Sequence, residues 1–271
     1  MPYATNGETR IFYTDTGGSG RPTVVCAHGF FMDQSMFDPQ ARFLTEHGYR
    51  VLAWDARGHG RTDASPDAQF SYWDLADDAL RVMDTAGARS AALVGMSQGG
   101  YINLRVALRA PERVERLVLL DTEAGASNDE EQASYHSLFD AWCNPQVPLT
   151  PLMDGLAPRL IGGSNADQAP WRAKWELSDR TAIRHAADCL ITRESVLDRL
   201  PEIACPAIVI RGQFDESSTA DKSRALADGL PGAGTVVTIE SAGHACNWTH
   251  PHRVDPVIAE FLNTPAGSEG H

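Results

Sequence analysis

The stretch Gly95-Met96-Ser97-Gln98-Gly99 constrains this chain more than any other, because of what lies on either side of it. Before it runs Ala91-Ala92-Leu93-Val94, a short apolar run of the kind a buried strand needs, and after it Tyr101 to Arg109 has the pattern of a helix. A serine at that junction sits on a sharp strand-to-helix turn, with its hydroxyl held above the edge of a sheet. The glycines two residues to either side let the turn close, since larger side chains would collide with neighbouring backbone while Ser97 takes up a strained conformation.

The rest of the chain supplies the sheet. Asn6-Gly7 reads as a hairpin turn ahead of Thr9 to Thr16, which alternates in polarity, so the chain is expected to begin with antiparallel strands. Short apolar runs at Thr23 to Ala27, Arg50 to Trp54, Ala91 to Val94, Arg116 to Leu120, Ala207 to Ile210 and Val236 to Ile239 predict buried, mainly parallel strands. Helices are expected between most of them. Tyr72 to Ala86 puts Leu75, Ala79, Leu80, Val82 and Met83 largely on one face, and Asn103 to Arg109, Thr219 to Leu230 and Val254 to Leu262 behave alike. Strand–helix alternation with right-handed crossovers predicts a doubly wound α/β sheet whose functional residues gather beyond the carboxyl ends of the strands.

Residues 122–203 break the alternation. They offer no clear strand but several helical patterns, interrupted at Pro145, Pro148, Pro151, Pro158 and Gly162-Gly163. An insertion of that length is expected to be a helical cap on a core made of 1–121 and 204–271. It contains Trp142, Trp171 and Trp175, which either wall an apolar pocket or pack the cap onto the core.

Composition narrows the partners. With 36 acidic against 23 basic residues, a formal charge of −13, the chain is unsuited to the phosphate backbone of nucleic acid or to an anionic membrane surface. No apolar run approaches the ~18 residues that span a bilayer, and the N-terminus lacks the pattern of a signal peptide, so a cytoplasmic location is expected. The five cysteines are odd in number and far apart, which suits reduced thiols rather than disulfides or a zinc site. No dinucleotide fingerprint or Walker loop occurs, and no cofactor or metal is expected. Oligomeric state stays open, a homo-oligomer included.

Ser97 is a poor nucleophile until a base takes its proton. His244 is the candidate base: it follows the run Val236 to Ile239 through Glu240-Ser241-Ala242-Gly243, on a loop level with Ser97. A carboxylate should accept the other imidazole N–H. Asp215 ends the stretch Gly212-Gln213-Phe214-Asp215, one strand before the histidine's; Asp121 and Glu123, after the run Arg116 to Leu120, are its rivals. Donors for an oxyanion are expected from the backbone N–H of Gln98 and, in His28-Gly29-Phe30, from that of Phe30, each worth typically about 10² to 10³ in rate. His28 is expected to order its loop. Asp55-Ala56-Arg57-Gly58-His59-Gly60-Arg61-Thr62 reads as scaffold held by its glycines and by salt bridging within the loop, and His250-Pro251-His252 as a solvated helix start.

Together these motifs make the chain resemble the α/β-hydrolase superfamily, and within it small bacterial esterases and enol-lactonase-like enzymes. The resemblance covers nearly all of the chain outside the cap. It implies an eight-stranded, mostly parallel sheet with helices on both faces and a cap inserted after the sixth strand. The chain differs in having Glu216-Ser217-Ser218-Thr219 where many relatives carry a proline after the acid, and Gln98 where many carry Met. Serine at 97 argues against the alkyl-enzyme chemistry of dehalogenases and epoxide hydrolases, which needs Asp there.

The expectation is a serine hydrolase with the triad Ser97, His244 and Asp215, cleaving a small-molecule ester or lactone through an acyl-enzyme. An apolar cap favours an uncharged or weakly polar substrate. The alternatives are hydrolysis of a C–C bond or perhydrolysis on the same triad, and a non-catalytic protein that binds a small molecule on the same scaffold.

Overall fold

The structure is a computed structural model that describes residues 2–62 and 69–264. Eight strands form one sheet: β1 (Tyr3–Asn6), β2 (Thr9–Asp15), β3 (Thr23–Ala27), β4 (Arg50–Trp54), β5 (Ala91–Met96), β6 (Val114–Leu120), β7 (Ala207–Gly212) and β8 (Val237–Ile239). Their order is β1-β2-β4-β3-β5-β6-β7-β8. The first two strands pair antiparallel, β2 pairs antiparallel with β4, and every later pairing is parallel. The opening hairpin has Asn6 opposite Thr9, so its two turn residues are Gly7 and Glu8, one position later than the sequence suggested; Gly7 takes the positive φ of 59°.

The helices are α1 (Asp38–Glu46), α2 (Tyr72–Thr85), α3 (Gln98–Arg109), α4 (Asp129–Trp142), α5 (Leu149–Leu160), α6 (Asn165–Leu177), α7 (Arg184–Ile191), α8 (Ala220–Gly229), α9 (Cys246–Thr249) and α10 (Pro251–Asn263). From β3 to β4 the chain steps one way across the sheet; from β4 to β5, β5 to β6 and β7 to β8 it steps the other way. Right-handed crossovers therefore set α1 on one face and α2, α3 and α8 on the opposite face. Helix α10 packs on α1, and α2 packs on α3. Strands β3 and β5, in the middle, are buried along their whole length. No described helix is long and apolar enough to cross a membrane.

Three differences from the sequence reading have clear causes. Strand β5 runs on through Gly95 and Met96 because both still pair with β6, opposite Leu119 and Leu120. Helix α3 begins at Gln98, although Gly99 and Gly100 are poor helix formers. Space decides this: a Cβ on Gly99 would lie 1.9 Å from the Ala27 carbonyl oxygen, and one on Gly100 would lie 2.4 Å from Thr122 Oγ1. In residues 122–203, Pro151 and Pro158 end no helix, since both lie inside α5. Pro151 falls in the first turn, where an N–H has no helical acceptor, and after Pro158 the ladder resumes with Ile161 N–H donating to Ala157 O at 2.9 Å.

The α3–β3 contact gives a stability prediction. Gly99→Ala should lower the thermal midpoint by roughly 10 °C, because the added methyl meets backbone that cannot step aside. Thermal unfolding followed by circular dichroism measures it; an unchanged midpoint would mean the helix can slide off the strand.

Candidate active site

Ser97 follows the last residue of β5 and precedes the first of α3, with φ 50° and ψ −113°. A non-glycine residue there carries strain of about 1–3 kcal/mol, tolerated because its neighbours over-determine it. The Ser97 N–H donates to Leu120 O at 2.9 Å, and its carbonyl accepts from Gly100 N–H at 2.8 Å and from Thr122 Oγ1 at 2.7 Å. A Cβ on Gly95 would sit 2.4 Å from the Gly99 carbonyl oxygen, so the turn closes only around glycine.

The next two groups come from adjacent strands. Asp215 lies just past β7, and His244 lies on the loop past β8. Both are buried, and His244 Nδ1 stands 2.9 Å from Asp215 Oδ1. That oxygen also accepts the N–H groups of Ser217 at 2.8 Å and Ser218 at 3.1 Å. Burial works against the charge on Asp215, but the His244 charge and these hydrogen bonds outweigh it and hold the carboxyl below its ordinary range. Burial likewise disfavours a charged His244, and the Asp215 carboxylate overcomes it, with Asp121 and Glu123 adding to the effect, so the imidazole is raised above its ordinary value.

Ser97 and His244 line one cavity of about 360 Å³, within the usual size of a small-molecule pocket. Phe30 and Phe31 line it from the loop after β3, Leu138 and Phe139 from α4, and Leu152 and Leu156 from α5. Gln98 opens α3, so its N–H precedes any intrahelical acceptor. Trp142, Trp171 and Trp175 do not line this cavity. Trp142 and Trp175 pack behind Phe31, at ring distances of 4.5 and 6.1 Å, and Trp175 Nε1 donates to the Phe31 carbonyl at 2.7 Å. Trp171 packs against Trp248. The tryptophans join the inserted helices to the core.

The two rival carboxylates are committed elsewhere. Glu123 pairs with Arg193 at 3.0 Å and Lys222 at 2.8 Å. Asp121, at φ 45°, accepts Gly212 N–H at 2.6 Å and Cys246 N–H at 3.1 Å, tying the loop that carries Asp215 to the loop that carries His244. Burial, then repulsion from Asp215, pushes its carboxyl up to about 8.

His28 spends both ring nitrogens on backbone. Nε2 accepts the Ala56 N–H at 2.9 Å, so the proton sits on Nδ1 and is given to Gly29 O at 2.7 Å; burial pushes the ring down to about 4. In the loop after β4, Asp55 accepts the N–H groups of Gln34 at 2.7 Å and Arg61 at 2.8 Å. Among the described residues, Arg57 of this segment pairs outside it, with Asp78 on α2 at 2.6 Å, where the sequence reading expected salt bridging within the loop. Pro251 is the first residue of α10, which places His250 and His252 at a helix start.

Sequence reasoning missed Arg159, which lines the cavity from α5. Its signal was available in the spacing, since 152, 156, 159 and 160 share one helical face.

A family model for the alpha/beta hydrolase fold matches residues 22–251. Among solved structures, the enol-lactonase from Burkholderia xenovorans LB400 is 27% identical, covers 97% of this chain and 100% of its own, and superposes with a TM-score of 0.85. A thermophilic esterase from Thermogutta terrifontis is 26% identical over 96% of each chain, also with a TM-score of 0.85. Among curated proteins, the 2-hydroxy-6-oxononadienedioate/2-hydroxy-6-oxononatrienedioate hydrolase of Paraburkholderia phymatum is 29% identical over 266 residues, 94% of this chain and 91% of that one.

Proposed function

This chain belongs to the α/β-hydrolase fold family, and from that premise we propose that it is a serine hydrolase cleaving a carboxylic ester or lactone, with residues 122–203 as the cap over its site. The observation that carries the reading is the buried 2.9 Å pair of His244 and Asp215, whose imidazole shares a cavity with Ser97 on its strained turn.

Asp215 accepts the hydrogen bond of His244 Nδ1–H and holds that tautomer, which leaves Nε2 free to accept the proton of Ser97 as its oxygen attacks the carbonyl carbon. The tetrahedral oxyanion rests on the N–H groups of Gln98 and Phe30. Collapse expels the alcohol, to which His244 returns the proton. Water, activated by the same imidazole, then releases the acid. The test is labelling by a fluorophosphonate together with hydrolysis of p-nitrophenyl esters; absence of both would leave a binding protein on the same scaffold.

The Paraburkholderia relative favours a second reading, cleavage of a C–C bond next to a ketone on the same three residues. Product analysis separates the two, since an ester yields an acid and an alcohol while a vinylogous diketone yields an acid and a ketone.

The raised imidazole has a consequence for pH. His244 must be neutral to accept the serine proton, so kcat/KM should fall as pH falls, through a midpoint above the ordinary imidazole value of 6.5. A pH–rate profile measures this. A midpoint below that value would mean that burial, not Asp215, governs the imidazole.

A further inference from the structure

Helix α5 faces the cavity with Leu152, Gly155, Leu156, Arg159 and Leu160, the i, i+3, i+4, i+7 and i+8 positions of one helical stripe. Four of the five are apolar, and the fourth in order is a guanidinium. Apart from His244, Arg159 is the one charged side chain among the described residues that line this cavity. Asp154, one residue off the stripe, points elsewhere and pairs with Arg172 at 2.6 Å. A basic residue in the last turn of a helix is favoured by the helix dipole, but the dipole acts on any face and gives no reason to place the charge on the apolar one.

Two further observations suggest that this cation is kept for a ligand. Its protein partner is weak: Glu216 stands 3.7 Å from Arg159 Nε, beyond hydrogen-bond length, and the two side chains are 73% and 75% exposed. Such a pair contributes little and exchanges readily for another anion. Beside it, Gly155 sits inside a helix although a Cβ there would meet nothing within 4 Å. Packing does not require that glycine, and glycine weakens a helix interior; what its bare backbone leaves is open space one turn before Arg159.

We infer, resting on the ester or lactone hydrolase reading, that Arg159 selects substrates carrying a carboxylate remote from the reacting carbonyl. The substrate class is then a half-ester or a carboxylated lactone with an apolar middle: the carbonyl end at Ser97, the hydrocarbon against Leu138, Phe139, Leu152 and Leu156, and the anion at the guanidinium. This replaces the uncharged substrate expected from an apolar cap. A carboxylate held alike in the ground and transition states lowers KM and leaves kcat unchanged, so the preference is expected in KM.

The experiment compares kcat/KM for p-nitrophenyl esters of matched chain length whose acyl group ends in a methyl, a carboxylate or a trimethylammonium, and repeats the series with the charge on the alcohol side. The wild-type protein should prefer the carboxylate over the methyl terminus on the order of tenfold, on one side of the ester, through KM. In Arg159→Gln the ratio should fall to about one, and in Arg159→Glu the trimethylammonium ester should become the better substrate. Glu216→Gln, which removes the competing anion without touching Arg159, should raise the ratio. Equal kcat/KM for methyl and carboxylate esters on both sides, or a preference that persists in Arg159→Gln, overturns the inference while hydrolysis of the methyl-terminated ester leaves the hydrolase reading standing. If no ester is cleaved and Ser97 is not labelled, both fall together.

Discussion

Replacing Ser97 with alanine is expected to lower kcat for a simple ester about a millionfold and to abolish labelling by a fluorophosphonate. The size follows from what the residue does: without its oxygen there is no acyl-enzyme, and His244 and Asp215 have no proton to move. What remains is the contribution of binding and of the oxyanion donors, on the order of 10³ over water. The substitution is a clean one, because alanine keeps the Cβ that already occupies the φ 50° position and leaves the backbone bonds to Leu120, Gly100 and Thr122 in place. The thermal midpoint should therefore stay within about 3 °C of the wild type. Loss of rate with an intact melting curve assigns the chemistry to Ser97. Turnover retained in the alanine variant removes the acyl-enzyme mechanism, whatever substrate is used.

The parts of this fold that could be read from the sequence are those set by local physics. Strands β3 and β4 were legible to the residue, because continuous apolar runs bounded by polar turns have few other places to go. The start of α3 was not, because Gly99 and Gly100 carry a turn signal locally, and the reason they are glycine lies in Ala27 at the end of β3 and Thr122 just past β6. Pro151 and Pro158 misled for a related reason: Pro151 falls in the first turn, where no N–H is needed, and Pro158 forfeits one bond near the end of α5 without ending it. The three tryptophans of residues 122–203 show another limit. Their size promises burial, but whether they face a cavity or the core depends on how four helices settle on Phe31 and its neighbours. The candidate site was legible as a set of loops, since the ends of β5, β7 and β8 fall on one rim of any parallel sheet. Which carboxylate meets the imidazole was legible only as a choice of Asp215, on strand order, with two rivals left standing. Asp121, Asp215 and Glu123 all lie on that rim, and the choice among them rests on bonds to residues as far off in the chain as Arg193, Lys222 and Cys246.

Those bonds make the second large prediction a comparison. Asp215→Asn should lower kcat about 10⁴-fold, because an amide can neither hold the imidazole in the right tautomer nor stabilise its charged form. Glu123→Gln should act on stability instead. Arg193 is almost wholly buried and loses the carboxylate it pairs with, a change that costs about 3 kcal/mol in such settings and shows as a lower thermal midpoint with kcat retained. Asp121 is the harder rival, since it is buried beside the same loops. Both of its oxygens already accept backbone N–H groups, from Gly212 and Cys246, and burial and repulsion from Asp215 push its carboxyl up, whereas the partner of a proton-accepting imidazole has to stay an anion through the cycle. Asp215, held below the ordinary carboxylate range and already 2.9 Å from Nδ1, meets that requirement. Steady-state kinetics and melting curves on Asp215→Asn and Glu123→Gln decide the matter. If Asp215→Asn keeps its rate while Glu123→Gln loses it, the acid belongs to β6 rather than β7, and the imidazole must swing across the rim to reach it.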